Sequence, residues 1–503
     1  MRSDYYDAII IGSGFGGSFA AYSLAKAGLR TMLLEKGDWV RKDELDWNPR
    51  EILFKKRYKS ASPIFVKQHK GNKFKKMYSN EAVGGMSVFY GGASLRMRET
   101  DFEKWPIKYA DLESYYTQAE RLLEVYGEVE RDPYDPYRSE NCLLKSINLT
   151  KPAQRIYRAA DELGYNPFKL PIAINFKNMS RSICIKCNTC DGYPCKIGAK
   201  NDLTTTVLKR AQDFGLEIMT GIFVKKVVEE DNEIKSVECI NKAMNARFYL
   251  SSKIVILSGG ALQSPALLLR SNLQKYQNHR FTGKYLMRHC NAVVCALFPF
   301  KTNPEKTFHK QVCITAFYED LREELNTSVG VIQSIYTPSP DAITHFIPYG
   351  IKTVGAGISD YVQILICIAE DNPNIHNCVA LSDQIDAYDL PIIKVEHLYC
   401  KNDYRRRNFL VKKAKKILRK AGGLLTCSIE LDTFSHAIGT VRFGDSPETC
   451  VLDKNCRFFG IKNLFVLDGS FMPTSTGINP SLTICANSLR VANYIISTCI
   501  QPI

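Results

Sequence analysis

Two residues near the C-terminal end have side chains suited to handling a proton and a charged oxygen. They are His436, in Ser-His436-Ala-Ile-Gly-Thr440, and Asn479, 43 residues later, in Gly-Ile-Asn479-Pro-Ser. A neutral imidazole takes a proton at ordinary pH because its unperturbed pKa lies near that range. A carboxamide can hold an oxygen that gains charge as the proton leaves. At the opposite end, the run Asp-Ala-Ile-Ile-Ile is followed by Gly12-Ser-Gly14-Phe-Gly16-Gly17. A base with an amide partner and a separate dinucleotide site are the parts that cofactor-dependent oxidation of an alcohol requires.

These residues need elements to position them, and the N-terminal ones are readable locally. Residues 8–11 form an apolar run, Gly12-x-Gly14-x-x-Gly17 follows at once, and residues 18–27 carry a small-residue helical pattern. This predicts strand, tight turn and helix. Gly12 permits the turn, Gly14 lets a pyrophosphate approach the backbone, and Gly17 lets helix and strand pack closely, with phosphates at the helix N-terminus. A second strand at 30–34 delivers Glu35, placed to accept hydrogen bonds from an adenosine ribose. These features leave NAD and FAD undistinguished.

The chain has 503 residues, 45% hydrophobic, and exceeds the usual size of one domain, so two connected domains are expected. Seventeen cysteines, an odd number spread along the chain, fit reduced thiols. With no apolar leader before the first strand and no run of ~20 apolar residues, a cytoplasmic protein without a membrane span is expected. The net charge of +15 gathers at Lys55-Lys56-Arg57, at residues 73–76 and between Arg405 and Lys420. None of these carries a nucleic-acid fold signature. In the last stretch Phe409, Leu410, Lys413, Ile417 and Leu418 share one side of an amphipathic helix, so its basic face is expected to be solvated.

Further along, Gly84-Gly85-Met-Ser87-Val-Phe89-Tyr90-Gly91-Gly92 holds two glycine pairs, the mark of close backbone approach to another surface. Asp101-Phe-Glu-Lys-Trp105 and Asp111-Leu-Glu-Ser-Tyr115-Tyr116 come next, with Asp111 expected to cap a helix. Residues 216–228, 234–240 and 246–250 alternate like strands, 261–269 reads as a helix start after a glycine turn, and 293–298 and 362–369 read as buried strands.

Taken in order, the dinucleotide turn with Glu35, the paired-glycine loop, Asp-Phe-x-x-Trp and Asp-Leu-x-x-Tyr-Tyr resemble the glucose-methanol-choline (GMC) oxidoreductases. Ser258-Gly259-Gly260-Ala261-Leu-Gln-Ser264-Pro265 and the closing block 436–490, with Asn463-Leu-Phe-Val-Leu-Asp468-Gly469-Ser470, continue the likeness. The resemblance selects FAD over NAD. It implies an α/β fold with a doubly wound, Rossmann-like FAD domain built from residues 1–50, 78–130, 200–290 and 435–503. An inserted α+β substrate domain would comprise 291–434 with parts of 51–77 and 131–199. His436 matches the family's general base and Asn479 its second catalytic position. Gly12, Gly14, Gly17, Glu35, Gly84, Gly85 and Ser87 are expected at the cofactor, together with Val224, Asp468, Gly469 and Pro480. Some relatives attach FAD through a histidine in the paired-glycine loop; here Phe89 and Tyr90 stand there, which implies noncovalent FAD.

Cys184, Cys187, Cys190 and Cys195 lie within twelve residues and leave two alternatives, a metal or iron–sulfur site and plain thiols or a disulfide. A narrower resemblance to the paromamine 6′-oxidases of aminoglycoside pathways rests on residues 85–94, 163–175 and 195–202. It implies oxidation of a sugar or aminosugar primary alcohol to an aldehyde, O2 as acceptor with hydrogen peroxide as product, and an aminotransferase acting next. A dehydrogenase with another acceptor and a non-redox lyase are the alternatives. An aminosugar would need local acids, for which Glu430 and Asp432 are the candidates.

Overall fold

The strands that run into Gly12 and into the Gly259-Gly260 turn lie side by side in one sheet and end at the same edge. A computed structural model of the chain describes residues 5–67, 73–339 and 357–499; the parts of the expected segments at 1–4, 68–72, 340–356 and 500–503 lie outside the described residues. Tyr5–Ile11 pairs in parallel with Thr31–Leu34 on one side and with the second half of Ala246–Leu257 on the other. Leu464–Val466 pairs in parallel with the same long strand. Ile9, Ile10, Leu33 and Ile256 have no exposed surface, as a parallel sheet covered on both faces requires. Gly12, Glu35, Ser258 and the Leu467–Asp468 pair therefore follow four neighbouring strands at their carboxyl ends, where open α/β sheets bind ligands.

The sheet has seven strands, completed by Glu217–Met219 beside Thr31–Leu34 and by the antiparallel strands Glu233–Asn241 and Ile222–Glu230. The stretch expected as one strand at 216–228 is thus two. Gly221, at φ +67°, turns the chain between them, so that one piece extends the parallel sheet and the other starts a hairpin. The helices Phe15–Lys26 and Gln263–Leu269 lie where the pattern placed them.

A second, antiparallel sheet of six strands includes Leu425–Glu430, Ala292–Leu297, Val362–Ala369 and Gly330–Ser334 in that order. The helix Lys401–Lys420 packs on one face through Leu410, Ala414, Ile417 and Leu418, against Ala292, Val294 and Ala296. Its basic residues are not all solvated. Arg406 is fully buried, and its guanidinium donates to Glu370 O, Thr327 Oγ1, Asn372 Oδ1 and Asp403 Oδ1. On the opposite face, Gln333, Ile366, Val293 and Ile429 form one row across the sheet.

Asp111 departs from its expected role. Its carboxylate accepts from Lys108 N and closes the turn ahead of the helix Glu113–Leu122. Among the described residues no helix is long and apolar enough to cross a membrane.

Candidate active site

The dinucleotide turn is held by contacts only glycine permits. A Cβ on Gly12, at φ +101°, would lie 2.4 Å from Ser258 O, and one on Gly17 would lie 2.0 Å from Gly12 O. Gly16, which sequence reasoning passed over inside the Gly16-Gly17 run, is tighter still, with Leu467 O at 1.6 Å. Gly14 differs: its nearest neighbour would be 3.8 Å away, leaving its outer side free for a ligand. Glu35 accepts from Ser13 N (3.0 Å), Ser13 Oγ (2.5 Å) and Gly37 N (2.7 Å), and Ile222 N donates to Glu35 O, bringing the Val224 strand beside it.

The paired-glycine loop docks on this turn. Gly84 N donates to Ser13 Oγ (2.9 Å), and a Cβ on Gly85 would lie 3.1 Å from Gly14 Cα. Ser87 Oγ donates to Gly84 O and accepts from Leu203 N, so it braces the loop. The terminal helix Ser481–Thr498, preceded by Asn479 and Pro480, spans both glycine regions. Ser481 Oγ donates to Ala93 O at its start, and Ser488 Oγ donates to Gly16 O (2.6 Å) seven residues on. Seven helical residues measure ~10 Å, so two sites of that separation share one rigid element. Asp468 accepts from Gly260 N, Ser264 Oγ, Ser470 N and Ser470 Oγ. With both oxygens occupied, it clasps the Ser258 turn to the Gly469 turn.

That clasp carries the histidine. Gly439 N and Val441 N donate to Gly469 O and Ser470 O, and Ile438 exchanges both backbone hydrogen bonds with Met287. A Cβ on Gly469 would lie 2.9 Å from Ile438 Cγ2, so the two segments lie side by side. His436, half-buried, reaches His289 across this pairing, Nδ1 to Nδ1 at 2.8 Å. Burial, with the nearby His289 and Lys310, pulls the His436 pKa down to about 3, so the ring is neutral at ordinary pH. Asn479 Oδ1 accepts from Gln333 Nε2 (2.8 Å), a buried residue of the six-stranded sheet. The amide oxygen is thereby held and the NH2 group turned to the other side. Further back, Asp101 accepts from Tyr318 OH, and Tyr318 OH accepts from Gly477 N, steadying the Asn479 approach.

Residues 6–291 and 373–488 match the two parts of the GMC oxidoreductase family description. The chain belongs to the GMC oxidoreductase family. It is similar to the paromamine 6′-oxidase of Streptomyces fradiae, 29% identical over 97% of this chain and 91% of that one. It is 27% identical to the 6‴-hydroxyparomomycin C oxidase of Streptomyces lividus, covering 98% and 91%. It is also 25% identical to the 2-methyl-1,2-propanediol dehydrogenase of Mycolicibacterium austroafricanum, covering 98% and 95%. The crystal structure of a pyridoxine 4-oxidase from Mesorbium loti shares the fold, with a TM-score of 0.70 at 17% identity over 97% of this chain and 99% of that one.

GMC oxidoreductases act on alcohols and bind FAD, and the residues here fit that cofactor. The bare Gly14 and Gly85 backbones face each other with no side chain between them. Ser258 Oγ and Thr476 Oγ1 are buried and have no hydrogen-bond partner among the described residues. Tyr90 packs edge-on to Phe15 and donates to Asn201 O.

The cysteine loop in this GMC chain covers the paired-glycine loop. Lys200 Nζ, buried, donates to Val88 O, Cys190 O and Tyr193 O, and Gly192 N donates to Phe89 O. Cys184, Cys187, Cys190 and Cys195 are free thiols, and among the described residues no group of three or more potential ligands is arranged to hold a metal ion. Burial pushes the Cys184 and Cys190 thiols up to about 12. Glu430 pairs with Arg407, and Asp432 with Arg288 at 2.6 Å, so both candidate acids already have cationic partners.

Three residues of the site escaped the sequence reading. His289 follows Gly283-Lys-Tyr-Leu-Met-Arg and precedes the apolar strand at 292–297, a local context that does not announce its partner 147 residues on. Gln333 and Asp371 lie in the stretch with few motifs; strand pairing brings in Gln333, and the carboxylate of Asp371, just past a strand end, accepts from Arg288 N and His289 N.

Proposed function

We propose that this GMC oxidoreductase oxidises a primary alcohol on a sugar or aminosugar to the aldehyde, with noncovalently bound FAD and O2 as electron acceptor. Two observations support the reading: a neutral, half-buried His436 whose ring meets His289, and an Asn479 amide held by Gln333. His436 takes the hydroxyl proton as general base. The Asn479 NH2 holds the substrate oxygen while charge develops on it. When bound, FAD supplies the two-electron chemistry by accepting the hydride from the same carbon. The alcohol loses one proton and one hydride, and O2 takes up two electrons and two protons to give hydrogen peroxide.

Gly12, Gly14, Gly17 and Glu35 are assigned to the pyrophosphate and ribose, and the loop of Gly84, Gly85 and Ser87 to the remaining length of the cofactor. Val224 flanks the adenine end, while Asp468, Gly469 and Pro480 back the ring end. Residues 1–50, 78–130, 200–290 and 435–503 are taken as the FAD domain and 291–434, with parts of 51–77 and 131–199, as the substrate domain. A cytoplasmic setting and a following aminotransferase complete the reading.

The similarity to the two aminoglycoside oxidases supports the sugar class. Glu430 and Asp432 are ion-paired, and Lys310, bound to Asp191 at 2.6 Å, adds positive charge near His436. These charges favour neutral sugar hydroxyls over a polycationic ring. The similarity to a diol dehydrogenase supports a second reading, in which the electrons pass to an acceptor other than O2.

A peroxide-coupled screen of paromamine, neutral sugars and simple alcohols, run with and without an artificial electron acceptor, tests both readings. One turned-over alcohol with stoichiometric peroxide is the expected result. Turnover only with the artificial acceptor selects the dehydrogenase. His436→Ala is expected to lower the rate by ~10²–10⁴-fold; an unchanged rate removes His436 from the chemistry.

A further inference from the structure

Behind His436 lies a second histidine that the proposed chemistry does not consume. We infer that His289 is a positioning residue that sets the tautomer of His436, placing the proton on Nδ1 and leaving Nε2 as the basic nitrogen. The inference rests on the reading of His436 as the general base.

The argument follows the hydrogens. His289 is 1% exposed, and its Nε2 lies 2.9 Å from Ser475 O. A carbonyl oxygen has no proton to give, so Nε2–H of His289 is the donor. Burial keeps the His289 ring neutral, and a neutral imidazole with a proton on Nε2 has a bare Nδ1. That Nδ1 is 2.8 Å from His436 Nδ1, so the shared proton belongs to His436. The His436 lone pair is then on Nε2, at the far side of its ring. Were His436 protonated on Nε2 instead, two bare nitrogens would face each other at hydrogen-bond distance.

The frame around His289 fits this role. Its backbone N–H donates to Asp371 Oδ1 (3.0 Å), and its carbonyl accepts from Tyr399 OH (2.7 Å). Asp371 Oδ2 accepts from Arg288 N and contacts His397 Nε2, and Ser475 Oγ bridges the Asp371 backbone N and O. Ser475 thus supplies the carbonyl that directs His289 while being tied to the backbone of Asp371, whose carboxylate holds the His289 N–H. His289 adopts φ +60°, a conformation an L-residue rarely takes, and the surrounding hydrogen bonds maintain it. The two ring planes meet at 90° with centroids 5.0 Å apart, which leaves the Nδ1 atoms of the two ring edges facing each other.

The test uses the FAD-loaded enzyme and two variants. Nitrogen-15 NMR of histidine-labelled protein is expected to find His436 protonated on Nδ1 and bare on Nε2, and to find mixed tautomers in His289→Leu. Anaerobic flavin reduction by the best alcohol should slow by ~10²–10⁴-fold in His289→Leu with KM changed less than about 3-fold. His289→Asn, which returns an acceptor oxygen near the lost Nδ1, should recover most of that rate. A wild-type His436 protonated on Nε2 overturns the inference, as does an unchanged rate in His289→Leu. A His289→Asn variant as slow as the leucine variant, at wild-type FAD content and melting temperature, also overturns it. If no alcohol reduces the wild-type flavin, the functional reading fails while the tautomer spectrum still decides this one.

Discussion

Gln333 Nε2 donates to Asn479 Oδ1 at 2.8 Å, joining the six-stranded sheet to the residue that precedes the terminal helix. The contact fixes which end of the Asn479 amide faces the substrate side, because an amide whose oxygen is held must present its NH2 elsewhere. Gln333→Leu removes the restraint and is expected to lower kcat/KM by ~10–100-fold, the equivalent of ~1–3 kcal/mol for one orienting hydrogen bond. Gln333→Glu is expected to be worse, because a carboxylate attracts the NH2 and turns the amide around. Steady-state kinetics on the three proteins check this, and equal kcat/KM values contradict it.

The pH response follows from the environment of His436. Its folded-state pKa, near 3, lies below the ordinary 6.5, so the base remains unprotonated as pH falls from 8 to 5. The rate of anaerobic flavin reduction should therefore show no descending limb near pH 6.5. Stability has the opposite sensitivity. Between the two pKa values the unfolded chain binds the proton and the folded chain does not, so this contribution is present above pH 6.5 and is lost as pH falls toward 3. His289 is shifted in the same direction by burial. The melting temperature of His436→Asn should fall less between pH 7 and pH 5 than that of the wild type.

The ends of this chain were readable because their chemistry is local. Gly12 to Gly17 and the following helix depend on backbone geometry set within a dozen residues, and the strands at 8–11 and 30–34 announce themselves as apolar runs. His436 and Asn479 could be named from their flanking residues, but what holds them could not. Gln333 reaches Asn479 across 146 residues, and His289 reaches His436 across 147, through pairings that leave no spacing signature. Arg406 shows the same limit from the other side. Its neighbours in sequence, the exposed Arg405 and the partly buried Arg407, are basic too, and only the fold reveals that Arg406 points inward to Glu370 and Asp403.

A buried ion network behind the paired-glycine loop should dominate local stability. Arg96, with no exposed surface, grips Glu120 through Nε (3.0 Å) and Nη2 (2.7 Å), and Arg138 Nη1 meets the same carboxylate at 2.9 Å. Removing the carboxylate charge leaves the buried Arg96 only the longer contact to Glu113 at 3.3 Å as its ion pair, for a loss of up to ~3–5 kcal/mol. Glu120→Gln should lower the melting temperature by several degrees. Replacing the exposed Glu140, which pairs with Arg121 at the surface, should change it little. Calorimetry on the two variants separates the cases.

The glycines of the dinucleotide turn should divide by what a methyl group would meet. At Gly16 an added Cβ would lie 1.6 Å from Leu467 O, backbone that cannot retreat without breaking the strand Leu464–Val466 from its neighbour. Gly16→Ala is therefore expected to yield little folded protein. At Gly14 the nearest atom is 3.8 Å away, so the apoprotein has room for the methyl. A pyrophosphate against that backbone does not, since close approach is what the second glycine of the turn provides. Gly14→Ala should keep the melting temperature of the FAD-stripped protein and lose FAD on gel filtration. Full retention of FAD by Gly14→Ala would place the pyrophosphate elsewhere than against Gly14.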